Sequence, residues 1–209
     1  MYEGSPGQAD HLRPGTVQRG GNKVRNILLA VTGLSPQVIT ETLYALNQMN
    51  RPVHAIHVIT TRPGKDCLLS QLLDGGHGPY YRYLEEYGVP EAGIDFGPGN
   101  IHVVCDSLGV EIEDILDESD NARVLTRCME LAFHHTRDLE TAVFFSIAGG
   151  RKTMSACLTL AAQMYGRPQD RLYHVLVPPE FESNRAFFYP PKKSRPIKIM
   201  DKHGEPVYK

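Results

Sequence analysis

The chain has no apolar stretch approaching the ~20 residues needed to cross a bilayer, so a membrane-spanning helix is excluded. No CxxC pair is present. The four cysteines, Cys67, Cys105, Cys128 and Cys157, are widely spaced, which argues against a zinc site. Three of them sit in apolar runs, as expected for reduced core cysteines of a cytoplasmic protein. A basic excess is also missing. The formal net charge is −2, which argues against a general nucleic-acid coat, and no long nucleic acid is expected as a partner. The N-terminus lacks the apolar run of a secretory signal, and no internal repeat is visible.

What is there is enough for a substantial core. Hydrophobic residues make up 41% of 209, which suits one α/β domain with tails. Residues 1–22, rich in Gly, Pro, Gln and Arg, read as a disordered leader. Charge is unevenly spread. Residues 26–184 carry 11 Lys/Arg against 20 Asp/Glu, whereas residues 185–209 carry 7 against 2. The basic tail is read either as a solvated segment or as one that helps hold an anion or a partner.

Apolar runs and helical periodicity alternate along the chain. Arg25–Val31 reads as a strand buried on both faces. After it comes Thr32-Gly33-Leu34-Ser35-Pro36, with Ser35 expected as N-cap and Pro36 as the first residue of a helix running to about Met49. Val53–Thr60 is a second strand. Residues 61–100 hold helix-like pieces at Asp66–Leu73 and Tyr80–Tyr87, then a Gly/Pro-rich loop. Ile101–Cys105 is a third strand, Asn121–His135 a helix, Thr141–Ile147 a fourth strand and Met154–Tyr165 a helix of small residues. Arg171–Val177 is a fifth strand. The Pro-rich remainder ends in a hairpin, Ile197–Met200 against Val207-Tyr208 with a turn at His203-Gly204. Such alternation predicts a Rossmann-like, mostly parallel α/β sheet with helices on both faces. In the order 3-2-1-4-5, the first and fourth strands are neighbours and a ligand crevice opens at their carboxyl ends.

The two loops that follow those strands are Thr32–Pro36 and Gly149–Thr153. Each ends at a helix N-terminus, where unpaired N–H groups and the helix dipole favour an anion. Gly33, Gly149 and Gly150 let the backbone approach a ligand. Lys152 adds a point charge, Arg151 a planar fork for phosphate, and Ser35 and Thr153 add hydroxyls. Both motifs also read as plain helix starts, and it is their placement on adjacent strands that favours a site. A Walker loop is excluded, because Arg151 and Ser146 occupy its glycine positions. GxGxxG is excluded too, because Thr32–Gln37 holds only Gly33.

Other candidates carry less. His134-His135, His54 and His57 lack metal-ligand spacing to carboxylates and read as surface or core histidines. Asp106 is placed to reach the crevice and equally to form a turn. Tyr80, Tyr81, Tyr83 and Tyr87 read as a helix face covering the sheet rather than as base-stacking groups. Glu111–Asp120 reads as a solvated acidic face.

The segments from Asn26 to Leu46 and from Phe145 to Ser155 resemble the two signature segments of CRISPR-associated Rossmann-fold (CARF) proteins, and most closely those of the small stand-alone ring nuclease type. The resemblance implies a CARF-like domain over residues 23–178 and a basic, Pro-rich extension over 179–209. It implies a homodimer whose crevices meet on a two-fold axis and bind a cyclic oligoadenylate, the second messenger of type III CRISPR defence. The implied reaction needs no metal or cofactor: a ribose 2′-hydroxyl attacks its neighbouring phosphate, giving a 2′,3′-cyclic phosphate and linear products.

On that resemblance the catalytic set is Lys152, Arg151 and Ser35. The ligand-binding set is Thr32, Gly33, Leu34 and Gln37 in the first loop, Thr60 and Asp106 after the second and third strands, and Gly149, Gly150 and Thr153 in the last loop. No side chain stands out as general base. No RxxxxH pattern of a HEPN ribonuclease occurs, and the tail is too short and Pro-rich for a winged helix. Two roles remain open: an enzyme that destroys the messenger, or a non-catalytic sensor or buffer acting through a partner. A small-nucleotide or sugar-phosphate enzyme on the same fold is the third reading.

Overall fold

A computed structural model describes residues 24–182, 184–200 and 205–208. The expected leader over 1–22 and the His203-Gly204 turn lie outside the described residues. Five strands form one parallel sheet in the order β3-β2-β1-β4-β5. They are β1 (Arg25–Val31), β2 (Ala55–Thr60), β3 (Ile101–Val103), β4 (Thr141–Ser146) and β5 (Arg171–Tyr173). Every residue of β4, and β1 from Ile27 onward, is buried, because helices cover both faces and leave those strands no wet side.

Side chains alternate between two cores, as the period of a strand requires. Leu28, Ala30, Ile56, Val58 and Phe144 share one core with Ile39, Leu43 and Leu46 of α1 (Gln37–Gln48). Tyr80, Tyr83 and Leu84 of α3 (Pro79–Tyr87) belong to the same core, so the tyrosines cover the sheet. Leu29, Val31, Ile59, Val143 and Phe145 face α4 (Glu118–Thr136) and α5 (Lys152–Tyr165) on the other side. Between β2 and α3, α2 (Arg62–Cys67) runs on into a π-helical stretch, Leu68–Leu73. The helical segment therefore starts earlier than the expected Asp66.

Several elements differ in length from the sequence expectation, β3, β5 and α4 among them. Strand β3 stops at Val103 because Val104 N–H donates to the Thr60 carbonyl (2.9 Å) and the chain then folds back on itself, Ile112 N–H donating to the Val104 carbonyl (2.9 Å). Strand β5 is a short edge that ends at Tyr173. Helix α4 begins earlier than expected, where Asp117 caps it by accepting from Asp120 N–H (2.8 Å).

The C-terminal extension packs on α1 and α3. It comprises α6 (Pro179–Glu182), an irregular stretch, and the antiparallel pair β6 (Lys198–Met200) and β7 (Pro206–Tyr208). Phe187 is buried, Thr40 Oγ1 donates to the Phe188 carbonyl (2.7 Å), and Tyr87 Oη donates to the Pro190 carbonyl (2.7 Å). Among the described residues no helix is long and apolar enough to cross a membrane.

Candidate anion-binding crevice

Strands β1 and β4 pair in register from Arg25↔Thr141 to Ala30↔Ser146, so the loops leaving them start side by side. Thr32 is fully buried. Its N–H donates to the Ile59 carbonyl (3.1 Å), its Oγ1 donates to the Ser35 carbonyl (3.1 Å), and its carbonyl accepts from Thr60 Oγ1 (2.8 Å). Thr32 and Thr60 therefore shape the loop rather than face a ligand. The second loop lies against the first: a Cβ on Gly33 would sit 3.3 Å from Gly150 Cα. A Cβ on Gly149 would sit 2.9 Å from the Val31 carbonyl oxygen and 3.2 Å from Thr32 Cα, so no side chain fits there. Gly150 has φ +75°, the left-handed conformation that favours glycine.

The two loops form two walls of a crevice of about 440 Å³. Gly33, Leu34 and Ser35 line one wall, and Gly150, Arg151 and Met154 the next. Thr61 and Pro63 come from the start of α2, and Glu113, Asp114 and Ile115 close the remaining side. The sequence gives no hint of those last three, because the acidic run reads as solvated. Thr61 and Pro63 had a usable signal: a strand end followed by proline at a helix start repeats the pattern of Ser35-Pro36.

Ser35 does not act as the expected N-cap. Pro36 takes the cap position of α1, and no side chain caps that helix. Arg151 takes the cap position of α5, again without a side-chain cap. Ile39 N–H and Met154 N–H are met by the Pro36 (3.2 Å) and Arg151 (2.9 Å) carbonyls, and the amides ahead of them in each first turn are left for acceptors from outside the helix, which is the arrangement that binds anions.

The cations at this end of the sheet are held differently. Arg151 grips Asp114 bidentately, through Nε to Oδ1 (2.6 Å) and through Nη2 to Oδ2. The guanidinium hydrogen bond holds the Asp114 carboxyl below its ordinary range, and the same bond raises the Arg151 pKa. Lys152 and Thr153 are exposed in the first turn of α5 and lie outside the crevice lining. Gln37, half-buried at the start of α1, also lies outside it. Gly149 sits behind the wall as a spacer.

Asp106 is used as a turn former. Its Oδ1 accepts from the N–H groups of Val110 (2.9 Å) and Leu108 (2.8 Å), and these bonds lower its pKa. The acidic run is not a simple solvated face: Glu111 pairs with Lys65, Glu113 with Arg62 and Asp114 with Arg151. Glu41 on α1 is 7% exposed, and burial pushes its carboxyl up to about 7. It lies outside the crevice lining.

The histidines gather elsewhere. His57 Nδ1 and His102 Nε2 are 3.0 Å apart, and the His57 and His135 rings are 4.4 Å apart, centroid to centroid, between the sheet and α4. Burial lowers the pKa of all three, to about 4 for His102 and about 3 for His135. Among the described residues no group of three or more His, Cys, Asp or Glu is arranged to hold a metal ion.

One family model, that of CRISPR-associated protein NE0113, matches residues 35–209, which takes in β2 to β5 and the crevice wall from Ser35 onward, while β1 and Thr32–Leu34 precede the match. The chain belongs to this family. No curated protein matches the sequence. The family match starts at Ser35 in the first wall and takes in the Gly149–Thr153 loop, the acidic segment and the extension packed on α1 and α3. CRISPR association is thereby established for the chain.

Proposed function

We propose that the protein is a metal-independent ring nuclease of the CARF type, which cleaves a cyclic oligoadenylate, cyclic tetra-adenylate first of all, and so switches off type III CRISPR signalling. One observation carries the reading. In a CRISPR-associated chain, two glycine-containing loops meet at the carboxyl ends of adjacent central strands, each at an uncapped helix start. A crevice of about 440 Å³ takes only part of a tetranucleotide ring. The reading therefore requires two protomers about a two-fold axis, each offering the same groups to equivalent nucleotides.

In the proposed reaction the ribose 2′-oxygen bonds to the adjacent phosphorus and the bond to the 5′-oxygen breaks. The proton of the 2′-hydroxyl ends on the departing 5′-oxygen. The protein's part is to hold the attacking and leaving oxygens in line and to stabilise charge growing on the phosphoryl oxygens. Lys152 makes no hydrogen bond or ion pair among the described residues, so it is available for that charge, with the α5 amides beside it. Ser35 Oγ, exposed and not engaged as a cap, is available to orient the ribose or phosphate.

A second reading, a non-catalytic sensor or buffer, draws support from the lining itself. No histidine lines the crevice, and its two carboxylates are both ion-paired. Incubation with radiolabelled cyclic tetra-adenylate in EDTA separates the two. Linear di-adenylate ending in a 2′,3′-cyclic phosphate supports the nuclease. Intact ligand that comigrates with the protein supports the sensor. Failure to bind or cleave cyclic tetra-adenylate or cyclic hexa-adenylate overturns both.

A further inference from the structure

The acidic segment at the crevice has a regular construction. Three of its carboxylates reach three cations on different parts of the rim. Both Glu111 oxygens lie 2.5 Å from Lys65 Nζ, Glu113 pairs with Arg62, and Asp114 takes Arg151. The segment is held in place by its backbone. The Ile112 carbonyl accepts from Arg62 N–H (2.9 Å), Ile112 N–H donates to Val104, and the Ile112 side chain is buried. Glu113 and Asp114 then stand in the crevice wall, opposite the Ser35 loop.

Asp114 is the telling member. A carboxylate bound through two parallel N–H···O contacts presents the same planar pair of oxygens that a phosphodiester offers to a guanidinium. Arg151 is the cation that the second loop carries into the crevice, and Asp114 already occupies its fork. The occupation is exchangeable. Arg151 and Asp114 side chains are 57% and 37% exposed, and those of Arg62 and Glu113 are 54% and 57% exposed. Exposed pairs of this kind are weak and screened by water.

We propose that Asp114, assisted by Glu113, is a specificity-determining internal anion. It occupies the phosphate position at Arg151 and must be displaced before an anionic ligand binds. The proposal rests on the reading of the crevice as a phosphodiester site. A ligand with one phosphate makes one exchange and gains little. A ligand with several phosphates also engages the helix amides, and so outcompetes the carboxylate. The segment thus selects for polyanions and rejects the small anions that a bare Arg-and-helix site would collect.

The test is calorimetric titration of the full chain, at low ionic strength, with pyrophosphate and with cyclic tetra-adenylate. The variants are Asp114→Asn, Glu113→Gln, Arg151→Ala and, as a control for net charge, Glu118→Gln, which removes an exposed carboxylate outside the crevice. Circular dichroism verifies that each variant is folded. Asp114→Asn is expected to bind pyrophosphate about fivefold more tightly than the parent, since roughly that factor corresponds to the upper range of an exposed pair. Glu113→Gln should give a smaller gain, Glu118→Gln none, and adding Arg151→Ala to Asp114→Asn should erase the gain. Pyrophosphate affinity that stays level or weakens in folded Asp114→Asn overturns the proposal, and so does the absence of pyrophosphate binding in both proteins. Cyclic tetra-adenylate bound equally by parent and Asp114→Asn likewise overturns the internal anion while leaving the ligand reading intact. A pyrophosphate gain with no binding of the cyclic ligand upholds the internal anion and overturns the ligand reading.

Discussion

Acidification from pH 7.5 to 5 should destabilise this fold through His57, His102 and His135. The sign follows from linkage. All three have folded pKa values below the ordinary 6.5, chiefly because burial disfavours the imidazolium. The stability they contribute is complete above about 6.5 and is lost as pH falls towards the folded values of about 4 for His102 and about 3 for His135. The surroundings offer limited relief. Asp95 raises the His57 pKa, whereas Arg25, His134 and, at His102, Arg127 oppose protonation. The buried His135 Nε2 has no hydrogen-bond partner among the described residues.

At pH 5 a free histidine in the unfolded chain gains about 2 kcal/mol from proton binding that a histidine held neutral in the fold does not. His102 and His135 together thus remove on the order of 3 kcal/mol once the partial exposure of His102 is allowed for. That is a large share of the roughly 5–15 kcal/mol available to a domain of ordinary stability. Urea unfolding at pH 7.5, 6.5, 5.5 and 5.0, with the parent and a His135→Phe variant, measures it directly. The parent should lose stability steadily through this window, and His135→Phe should lose about 2 kcal/mol less between its ends. Parallel pH profiles for the two proteins would refute the reasoning, because they would mean that His135 takes up its proton in the folded state.

Lys152→Ala should slow ring cleavage by on the order of 10²-fold, as expected when one charge-stabilising donor is removed. Binding by titration should fall less, and equal losses in both would make Lys152 a uniform binding contact. Gly149→Ala forces a Cβ to within 2.9 Å of the Val31 carbonyl oxygen. It should lower stability in urea by about 2 kcal/mol, in the range of an overpacked core; an unchanged midpoint would show that the two loops separate easily. Glu41 has a raised pKa, so the stability linked to its protonated form is complete below 4.5 and lost as pH rises through about 7. Glu41→Gln should therefore gain about 3 kcal/mol over the parent at pH 8 and little at pH 4.5. Equal stability of the two proteins at pH 8 would count against it.

Local sequence determined the architecture of this protein. Short runs such as Ile27–Val31 and Ala142–Phe145 are apolar throughout, as strands covered on both faces are, and helical periodicity between them leaves a parallel sheet as the economical arrangement. The 3-2-1-4-5 order then followed, and with it the meeting of the Thr32–Pro36 and Gly149–Thr153 loops. Tertiary structure decided which side chains face the crevice. The Thr60 and Thr32 hydroxyls turn inward to the Thr32 and Ser35 carbonyls, Asp106 is consumed by its own turn, and Lys152 and Thr153 stand outside the lining. The acidic run carries the same lesson. A string of Glu and Asp looks alike whether solvated or ion-paired, because charge along the chain says nothing of what stands opposite. Only the backbone tether of Ile112 to Arg62 and Val104 brings Glu113 and Asp114 to their cations, through contacts whose partners lie far apart in the chain.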